Sequence, residues 1–379
     1  MMRVALVAHI RHQIAPPFAG GMEAHSYHLA RGLAARGHDV TLFASGDSAV
    51  PDGVRLHPVV PTHYDRDFPW HRFHGTDVLT AHLDAAYARA GRDILGGGYD
   101  IVHNNSLHRF MPRLAVAHGV PMVTSLHVPP FEALRRAVQG GIAPWTRFTV
   151  TSRAQLDRWW PDVPPSEASV LPNGIDLADW PFEASGHGGA VWAGRITPTK
   201  GPHLAVQAAR RANLPLTLFG TIEHRDYFET DVRPHLGGDI RYGGHLNGAD
   251  LAREIGAASV LLFTPLWDEP FGLAAIEAMA TGVPVACTDR GAVREVVGDC
   301  GRFAPSDDVA ALARAARDAI RVPRARCRAR VEALFSHDVM LDRTEALYRD
   351  ALSAAPAAAP RRAFRPFELQ IAPPVALSA

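Results

Sequence analysis

The chain has 379 residues, of which 47% are hydrophobic and 21% charged, a composition typical of a globular protein with two or three domains. Lysine plus arginine and aspartate plus glutamate both total 39, and this balance argues against a nucleic-acid partner. No stretch reaches the roughly 18 apolar residues of a membrane span, and the apolar run at the N-terminus is too short for a signal peptide. Three scattered cysteines fit a reducing compartment, so we expect a cytoplasmic protein without a transmembrane segment.

The first half of the chain alternates short β-branched runs with Ala/Leu-rich amphipathic segments. A helix is predicted at Met22–Arg36, and strands are predicted at Val4–Ile10, Asp39–Ser45, Ile101–Asn105, Met122–His127 and Phe148–Ser152. This βαβ order is typical of a parallel sheet. Residues 1–180 are therefore expected to form one Rossmann-like domain that binds its ligand at the carboxyl ends of the strands.

The same alternation restarts after a turn-rich stretch near residue 180. Strands are predicted at Ala190–Thr197, Leu216–Gly220, Val260–Pro265 and Val285–Thr288. Residues 181–335 thus form a second Rossmann-like domain, and the fold class is α/β, with two doubly wound parallel sheets facing a central cleft that suits a small ligand.

The C-terminal part of the chain carries fewer signals. The Arg-dense segment 314–330 is predicted to be a solvated helix face interrupted at Pro323. Residues 336–353 are expected to form a helix that packs back on the first domain. Residues 354–379 form an Ala/Pro-rich tail with too few apolar positions for a core of its own.

Two glutamates lie eight residues apart in DEPFGLAAIEAMATGVPV, the segment from Asp268 to Val285. We interpret this segment as a helix with its lead-in, in which a rise of about 1.5 Å per residue separates Glu269 and Glu277 by about 12 Å. Glycosidases need their two carboxyls about 5–9.5 Å apart, so the spacing argues against a hydrolase. It favours the two ends of one elongated ligand, with free N–H groups around Phe271–Leu273 facing a phosphate. The alternative is that both glutamates are ordinary solvated helix residues.

Lys200 is the single lysine of the chain and lies in the Gly-rich turn AGRITPTKG, five residues after Arg195. A compact ammonium and a guanidinium at the end of a strand are suited to neutralise a diphosphate. The GxxxxGK[ST] order of a P-loop is missing. The alternative is that Lys200 is an ordinary surface residue.

Together, these motifs resemble the large retaining glycosyltransferase family 4, which has the GT-B fold. The resemblance covers roughly residues 1–350, and the Glu-x7-Glu segment with its FGL core is its most specific part. The residues that carry it are Gly20-Gly21 before the first helix, His127 after a strand, Gly194-Arg195 with Lys200-Gly201, and Glu269 with Glu277.

This resemblance implies a donor site and a catalytic set. Glu277 would hold the ribose hydroxyls of a nucleotide sugar, and Glu269 would contact the sugar itself. Arg195 and Lys200 would bind the diphosphate, and His127 would reach the sugar from the first domain. The other implied donor-binding residues are Gly20, Gly21, His245, Leu246, Phe271, Gly272 and Leu273. The implied catalytic residues are His127, Glu269, Arg195 and Lys200.

The family's chemistry is commonly described as same-face substitution, in which the departing phosphate accepts the proton of the acceptor. It needs positioning and charge stabilisation more than a strong base. We therefore expect no metal and no cofactor besides the donor substrate. Asp65-Arg66-Asp67 is interpreted as a chance Asp-x-Asp, and His71 with His74 lacks a third ligand in the sequence.

The substrates follow from the resemblance only in outline. The donor is predicted to be a UDP-hexose, UDP-glucose first and GDP-mannose next. The acceptor is unidentified and is assigned to the first domain at Asn104, Asn105 and His108, with a soluble acceptor favoured over a lipid by the balanced charge. The alternatives are a sugar-nucleotide 2-epimerase on the same fold and a non-enzymatic nucleotide-sugar-binding protein.

Overall fold

The structure is a computed structural model that describes residues 1–356 except Asn247. The Ala/Pro-rich tail predicted at 354–379 lies outside the described residues from position 357 onwards. The chain divides into two compact units. The first comprises Met1–Thr149, Val163–Ser169 and the described residues from Thr344 onwards, and the second comprises Val150–Asp162 and Val170–Arg343. From the sequence, the boundary between the two Rossmann-like domains was expected at residue 180, and the helix at 336–353 was expected to follow the second domain as a separate segment.

The first unit is built on a seven-stranded sheet in the order β3-β2-β1-β4-β5-β6-β7. Its strands are β1 Arg3–Val7, β2 Asp39–Ser45, β3 Val54–Val60, β4 Ile101–Asn104, β5 Met122–Leu126, β6 Thr146–Val150 and β7 Ala168–Val170. The helices are α1 Gly21–Ala35, α2 Trp70–Phe73, α3 Asp77–Gly97, α4 Phe110–His118 and α5 Glu132–Gln139. Strand β1 pairs in parallel with β2 on one side and with β4 on the other.

The second unit contains a six-stranded, fully parallel sheet in the order β10-β9-β8-β11-β12-β13. Its strands are β8 Ala190–Ala193, β9 Leu216–Phe219, β10 Ile240–Tyr242, β11 Val260–Phe263, β12 Val285–Thr288 and β13 Gly301–Ala304. The helices from here on are α6 Arg153–Trp159, α7 Pro202–Ala212, α8 Arg225–Tyr227, α9 Gly248–Ala257, α10 Leu273–Ala280, α11 Val293–Val297, α12 Val309–Ala319, α13 Arg324–Leu334 and α14 His337–Ser353.

The two strands at the centre of the second sheet, β8 and β11, are continuous apolar runs that are buried along their whole length. A strand covered by helices on both faces needs this composition, because neither face reaches water. The predicted fold class, two Rossmann-like doubly wound parallel sheets, is confirmed.

The last helix, α14, contributes its C-terminal half to the first unit. The hydroxyl of Tyr348 lies 2.7 Å from Nδ1 of His103 in β4, and both side chains are buried. Glu345 pairs with His38 at 3.1 Å and with Arg36 at 3.6 Å. These contacts tie the end of the described chain to the first sheet. In the part of the chain that the structure describes, no helix has both the length and the apolar character needed to cross a membrane.

Candidate active site

The second sheet reverses its strand order beside β8. Strand β9 lies on one side of β8, and β11, which comes later in the chain, lies on the other. In open parallel sheets, ligands bind outside the carboxyl ends of the two strands that flank such a reversal. Lys200 is in the loop that follows β8, and Glu269 is in the loop that follows β11. The fold therefore brings two sequence-predicted residues to the position where a ligand is expected.

Lys200 and Glu269 form a partly buried ion pair. The Lys200 Nζ lies 2.6 Å from Oε2 of Glu269, and the side chains are 22% and 8% exposed, respectively. The pair spans 69 positions in sequence, so only the fold brings the two side chains together. Such a charged pair, screened little by solvent, interacts more strongly than a surface pair.

The two loops that carry this pair are also bonded to each other. The hydroxyl of Thr264, directly after β11, donates to the carbonyls of Lys200 and Gly201 at 3.1 and 2.9 Å. The Leu266 amide donates to the Thr199 carbonyl at 2.8 Å. The backbone of Lys200 is thereby fixed relative to the Glu269 loop.

The loop of Glu269 is held from a second side by residues at the start of α6. The hydroxyls of Thr151 and Ser152 donate to the Pro270 carbonyl at 3.0 and 2.7 Å. Arg158 forms an ion pair with Asp268 at 2.7 Å. The backbone of the Glu269 loop is thus fixed by contacts within the protein and needs no ligand to hold it.

Gly291 supports the backbone of Glu269 directly. A Cβ atom on Gly291 would lie 2.4 Å from the Glu269 nitrogen and 2.5 Å from its carbonyl oxygen, and the φ of Gly291 is +61°. Both the left-handed backbone and the close approach require glycine. The next residue, Ala292, donates its amide to the Glu269 carbonyl at 2.8 Å.

Arg195 lies close to the end of β8 but points to a different carboxylate. Its guanidinium pairs with Glu223 at 2.7 Å and is about half exposed. The preceding residue, Gly194, is crossed so closely by the next loop that a Cβ atom on Gly220 would lie 1.8 Å from the Gly194 carbonyl oxygen. Arg195 and Lys200 therefore share a loop but form ion pairs with two different acidic residues.

Glu277 lies on α10, but Glu269 does not. The helix begins at Leu273 after Gly272, and it ends at Ala280. The prediction that the helical rise sets the separation of the two carboxylates is wrong, because Glu269 is in the loop before Gly272. Burial raises the pKa of the half-buried Glu277 to about 7. Gly272 supplies no side-chain cap, so the first N–H groups of α10 remain suited to an anion.

The remaining donor residues of the second unit differ in exposure. His245, after β10, is exposed, and Leu246 is half-buried against the core. Phe271 is a core side chain, 3% exposed, and packs edge-on against Phe335. Of Phe271, only the backbone is thus available for a ligand contact.

The first sheet reverses its order between β1 and β4, and the three predicted acceptor residues follow β4. Asn104 uses its amide oxygen to accept from Ser106, and His108 bonds Asp84 at 3.1 Å. Burial lowers the pKa of His108, and the carboxylate of Asp84 opposes this effect. Asn105 donates to Ser26 at 3.4 Å, while its buried Oδ1 has no hydrogen-bond partner among the described residues. Of the three, Asn105 keeps a polar atom for a ligand.

His127 follows β5, and its ring stacks edge-on against His25 with centroids 4.4 Å apart. Burial lowers the pKa of His127 to about 4, so the ring is neutral at physiological pH. Its Nε2 is buried and has no hydrogen-bond partner among the described residues. Gly20 precedes α1 and Gly21 begins it. The roles of these residues toward a donor stay predictions.

Asp65, Asp67 and His74 of the 65–74 segment each contact another side chain. Asp65 accepts from Arg11 at 3.1 Å and from the Trp70 amide at 2.9 Å, and Asp67 pairs with Arg66. The ring of His74 lies 3.9 Å from that of Trp70. Across the described residues, no group of three or more His, Cys, Asp or Glu side chains is arranged to hold a metal ion.

Several residues that shape this site were not predicted from the sequence. These are Trp267, which donates its indole N–H to Glu269 at 2.8 Å, together with Gly291, Thr151 and Ser152. Gly291 could have been predicted as a turn residue, because it ends the Asp-Arg-Gly sequence directly after a predicted strand. The hydroxyls of Thr151 and Ser152 carry no local signal, since their partner lies more than a hundred positions away.

Two family models match this chain in succession. Glycosyltransferase Family 4 matches residues 19–179, and Glycosyl transferases group 1 matches residues 189–333. Every donor-binding, catalytic and acceptor residue predicted from the sequence lies within one of these two ranges.

Curated proteins and solved structures agree with these matches. The glycogen synthase of Mycobacterium tuberculosis (strain ATCC 25618 / H37Rv) is 29% identical over 373 residues, covering 86% of this chain and 87% of that protein. The phosphatidyl-myo-inositol mannosyltransferase of Mycobacterium leprae is 29% identical over 324 residues, covering 78% and 82%. Anabaena HepE, solved with UDP-glucose, has a TM-score of 0.68 at 17% identity and covers 92% of this chain and 100% of its own.

These matches confirm the family that the motifs indicated. They extend over both units, and the structural likeness confirms the fold. The chain therefore belongs to glycosyltransferase family 4, has the GT-B fold of two Rossmann-like domains, and is a glycosyltransferase.

Proposed function

We propose that this protein is a retaining, metal-independent hexosyltransferase that takes its hexose from a UDP-hexose donor. The observation that carries the proposal is the Lys200–Glu269 pair, 2.6 Å apart, at the carboxyl ends of β8 and β11 where the strand order reverses. A nucleotide sugar is an elongated ligand with a negative centre, and this site offers a cation beside a carboxylate.

Charge stabilisation is the main chemical demand of this reaction. As the anomeric bond breaks, negative charge grows on the departing diphosphate, and fixed positive groups stabilise it. Arg195, Lys200 and the uncapped start of α10 supply such groups. Arg195 and Lys200 each pair with a carboxylate in the structure. A bound diphosphate would replace these carboxylates as the partner of Arg195 and Lys200. The positive charges of the two side chains would thus be paired with negative charge both with and without the ligand.

The named relatives support the proposed order of donors. Glycogen synthase and HepE with UDP-glucose favour a glucosyl donor, and the mannosyltransferase keeps GDP-mannose as the second candidate. The acceptor remains unidentified. Asn105 supports an acceptor contact in the first unit, because its amide oxygen is buried and has no hydrogen-bond partner among the described residues.

A sugar-nucleotide 2-epimerase is the alternative function on this fold. It would invert C2 of the sugar and would use no acceptor. The Glu-x7-Glu segment with its FGL core favours the transferase, since that segment carries the likeness to family 4.

The test is acceptor-free hydrolysis of a panel of sugar nucleotides, in which water replaces the acceptor. We expect UDP-glucose to be hydrolysed slowly, faster than GDP-mannose, with α-glucose as the first product seen by proton NMR. Retention is expected because the nucleophile enters on the face that the diphosphate leaves.

Three results of this panel would contradict the proposal in different ways. First-formed β-glucose would refute retention, and a product with inverted C2 would support the epimerase. A higher rate with GDP-mannose would identify GDP-mannose, and not UDP-glucose, as the preferred donor. Heat-denatured protein controls for spontaneous hydrolysis.

Activity is expected to survive removal of divalent metals. Because Arg195, Lys200 and the start of α10 supply the positive charge, an excess of EDTA should leave the rate of UDP-glucose hydrolysis within about twofold. The rate is measured before and after chelation, with Mg²⁺ and Mn²⁺ added back. A rate that disappears with EDTA and returns with Mn²⁺ would reassign catalysis to a metal, with Asp65 and Asp67 as the first ligands to test.

A further inference from the structure

Trp267 is the side chain that contacts both members of the Lys200–Glu269 pair. Its Nε1 donates to Oε2 of Glu269 at 2.8 Å, and the same oxygen accepts from the Lys200 Nζ at 2.6 Å. The Lys200 Nζ also lies 5.3 Å from the centroid of the Trp267 ring. The indole thus offers its N–H to the carboxylate and its face to the ammonium.

The backbone of this loop is already held without the indole. Thr151 and Ser152 bond the Pro270 carbonyl, and Gly291 and Ala292 pack against or bond the Glu269 backbone. These contacts fix the backbone of Glu269 but not the torsion angles of its side chain. The direction of the carboxylate is set by the groups that bond it.

A carboxylate as buried as that of Glu269, which is 7% exposed as a residue, needs hydrogen-bond donors. Among the described residues, its side-chain donors are Lys200 and Trp267. If a donor diphosphate attracts the Lys200 ammonium, the carboxylate retains the indole N–H. A hydrogen bond to a charged group is stronger than one between neutral groups, so this contact is sufficient to orient the side chain.

We propose that Trp267 is a positioning residue, which keeps the Glu269 carboxylate aimed while Lys200 moves toward the diphosphate, and whose ring face steadies that ammonium by a cation–π contact. The proposal rests on the proposed function for its kinetic consequence. Its geometric part, the coupling of Trp267 to Glu269, does not depend on any substrate.

Two substitutions separate the two parts of the indole. Trp267→Phe removes the N–H and keeps an aromatic face, so we expect kcat for UDP-glucose hydrolysis to fall about tenfold with KM changed less than twofold. Trp267→Leu removes both, and KM should then also rise about threefold. The matched control is Trp145→Phe, which removes an indole N–H that bonds the Ala115 carbonyl in the first unit. It should leave both constants unchanged.

A double-mutant cycle tests whether Trp267 acts through Glu269. In a Glu269→Ala background the carboxylate is gone, so Trp267→Phe should change kcat and the melting temperature much less than it does in the wild type. The same fold loss in both backgrounds, or a wild-type kcat for Trp267→Phe, would overturn the proposal.

The melting temperatures keep this test separate from the proposed function. If the protein does not hydrolyse UDP-glucose, the proposed function fails, but the cycle measured by thermal unfolding still reports the coupling. Additive changes in melting temperature would then refute the coupling itself. Non-additive changes without activity would support the coupling and refute only the donor.

Discussion

Replacing Lys200 with alanine is expected to lower kcat/KM for the nucleotide-sugar donor by about 10²-fold, since one preorganised charge at a site of developing negative charge is removed. The fold directs Lys200 to this role through its placement. It follows β8 at the strand reversal, its backbone is bonded by the Thr264 hydroxyl, and its ammonium is partly buried. Steady-state kinetics with UDP-glucose measure the effect.

Two further variants show whether the loss is specific. Lys200→Arg keeps the charge but replaces a compact ammonium with a planar fork, so an intermediate loss is expected. Arg233→Ala deletes an exposed cation of the same unit that pairs with Glu229, and it should leave kcat/KM unchanged. Thermal melts of each variant check the fold. A wild-type kcat/KM for Lys200→Ala would make Lys200 an ordinary surface residue.

The sequence predicted the central strands well and the edge strands not at all. β2 and β12 have the predicted bounds, and the other seven predicted strands lie at the expected positions with ends shifted by one to four residues. The four strands without a prediction, β3, β7, β10 and β13, are the two edges of each sheet. An edge strand is covered less completely, so its sequence need not be a continuous apolar run. β3 even contains Pro58, which a central position would not tolerate.

Long-range contacts were the other limit of prediction. The Arg-dense segment 314–330 was expected to be a solvated face, and this is wrong for Arg324. Its guanidinium donates to main-chain carbonyls of Glu183, Gly256, Ala258 and Thr281. The local sequence around an arginine does not show whether its guanidinium faces water or binds main-chain carbonyls, because those carbonyls belong to residues far away in the chain.

The candidate site shows the same division. Lys200 and Glu269 were found because each belongs to a local motif, the Gly-rich turn and the Glu-x7-Glu segment. Their 2.6 Å contact was not predicted, and neither was the indole of Trp267 beside them. Local sequence indicates which side chains carry chemistry. The strand order determines which of them meet.

Glu269→Gln is expected to lower kcat by about 10²-fold and to leave the donor KM within a fewfold. The side chain is buried beside Lys200, and its negative charge would act where positive charge develops on the sugar as the anomeric bond breaks. A contact that strengthens only in the transition state appears in kcat. Steady-state kinetics with UDP-glucose measure both constants, and thermal melts check that the variant folds.

Glu277→Gln should instead raise the donor KM about tenfold with kcat nearly unchanged, because ribose contacts are equal in the ground and transition states.

Burial raises the pKa of Glu277 to about 7. The ribose hydroxyls bond best to the ionised carboxylate, so wild-type kcat/KM should fall about tenfold from pH 8 to pH 6 as Glu277 takes up its proton. Glutamine cannot titrate, and its variant should lose this dependence. The pH profile of Glu269→Gln is the control, since it retains Glu277 and should keep the fall. Equal effects on KM at both positions would place the reacting centre away from Glu269, and an unchanged pH profile in Glu277→Gln would separate Glu277 from the ribose.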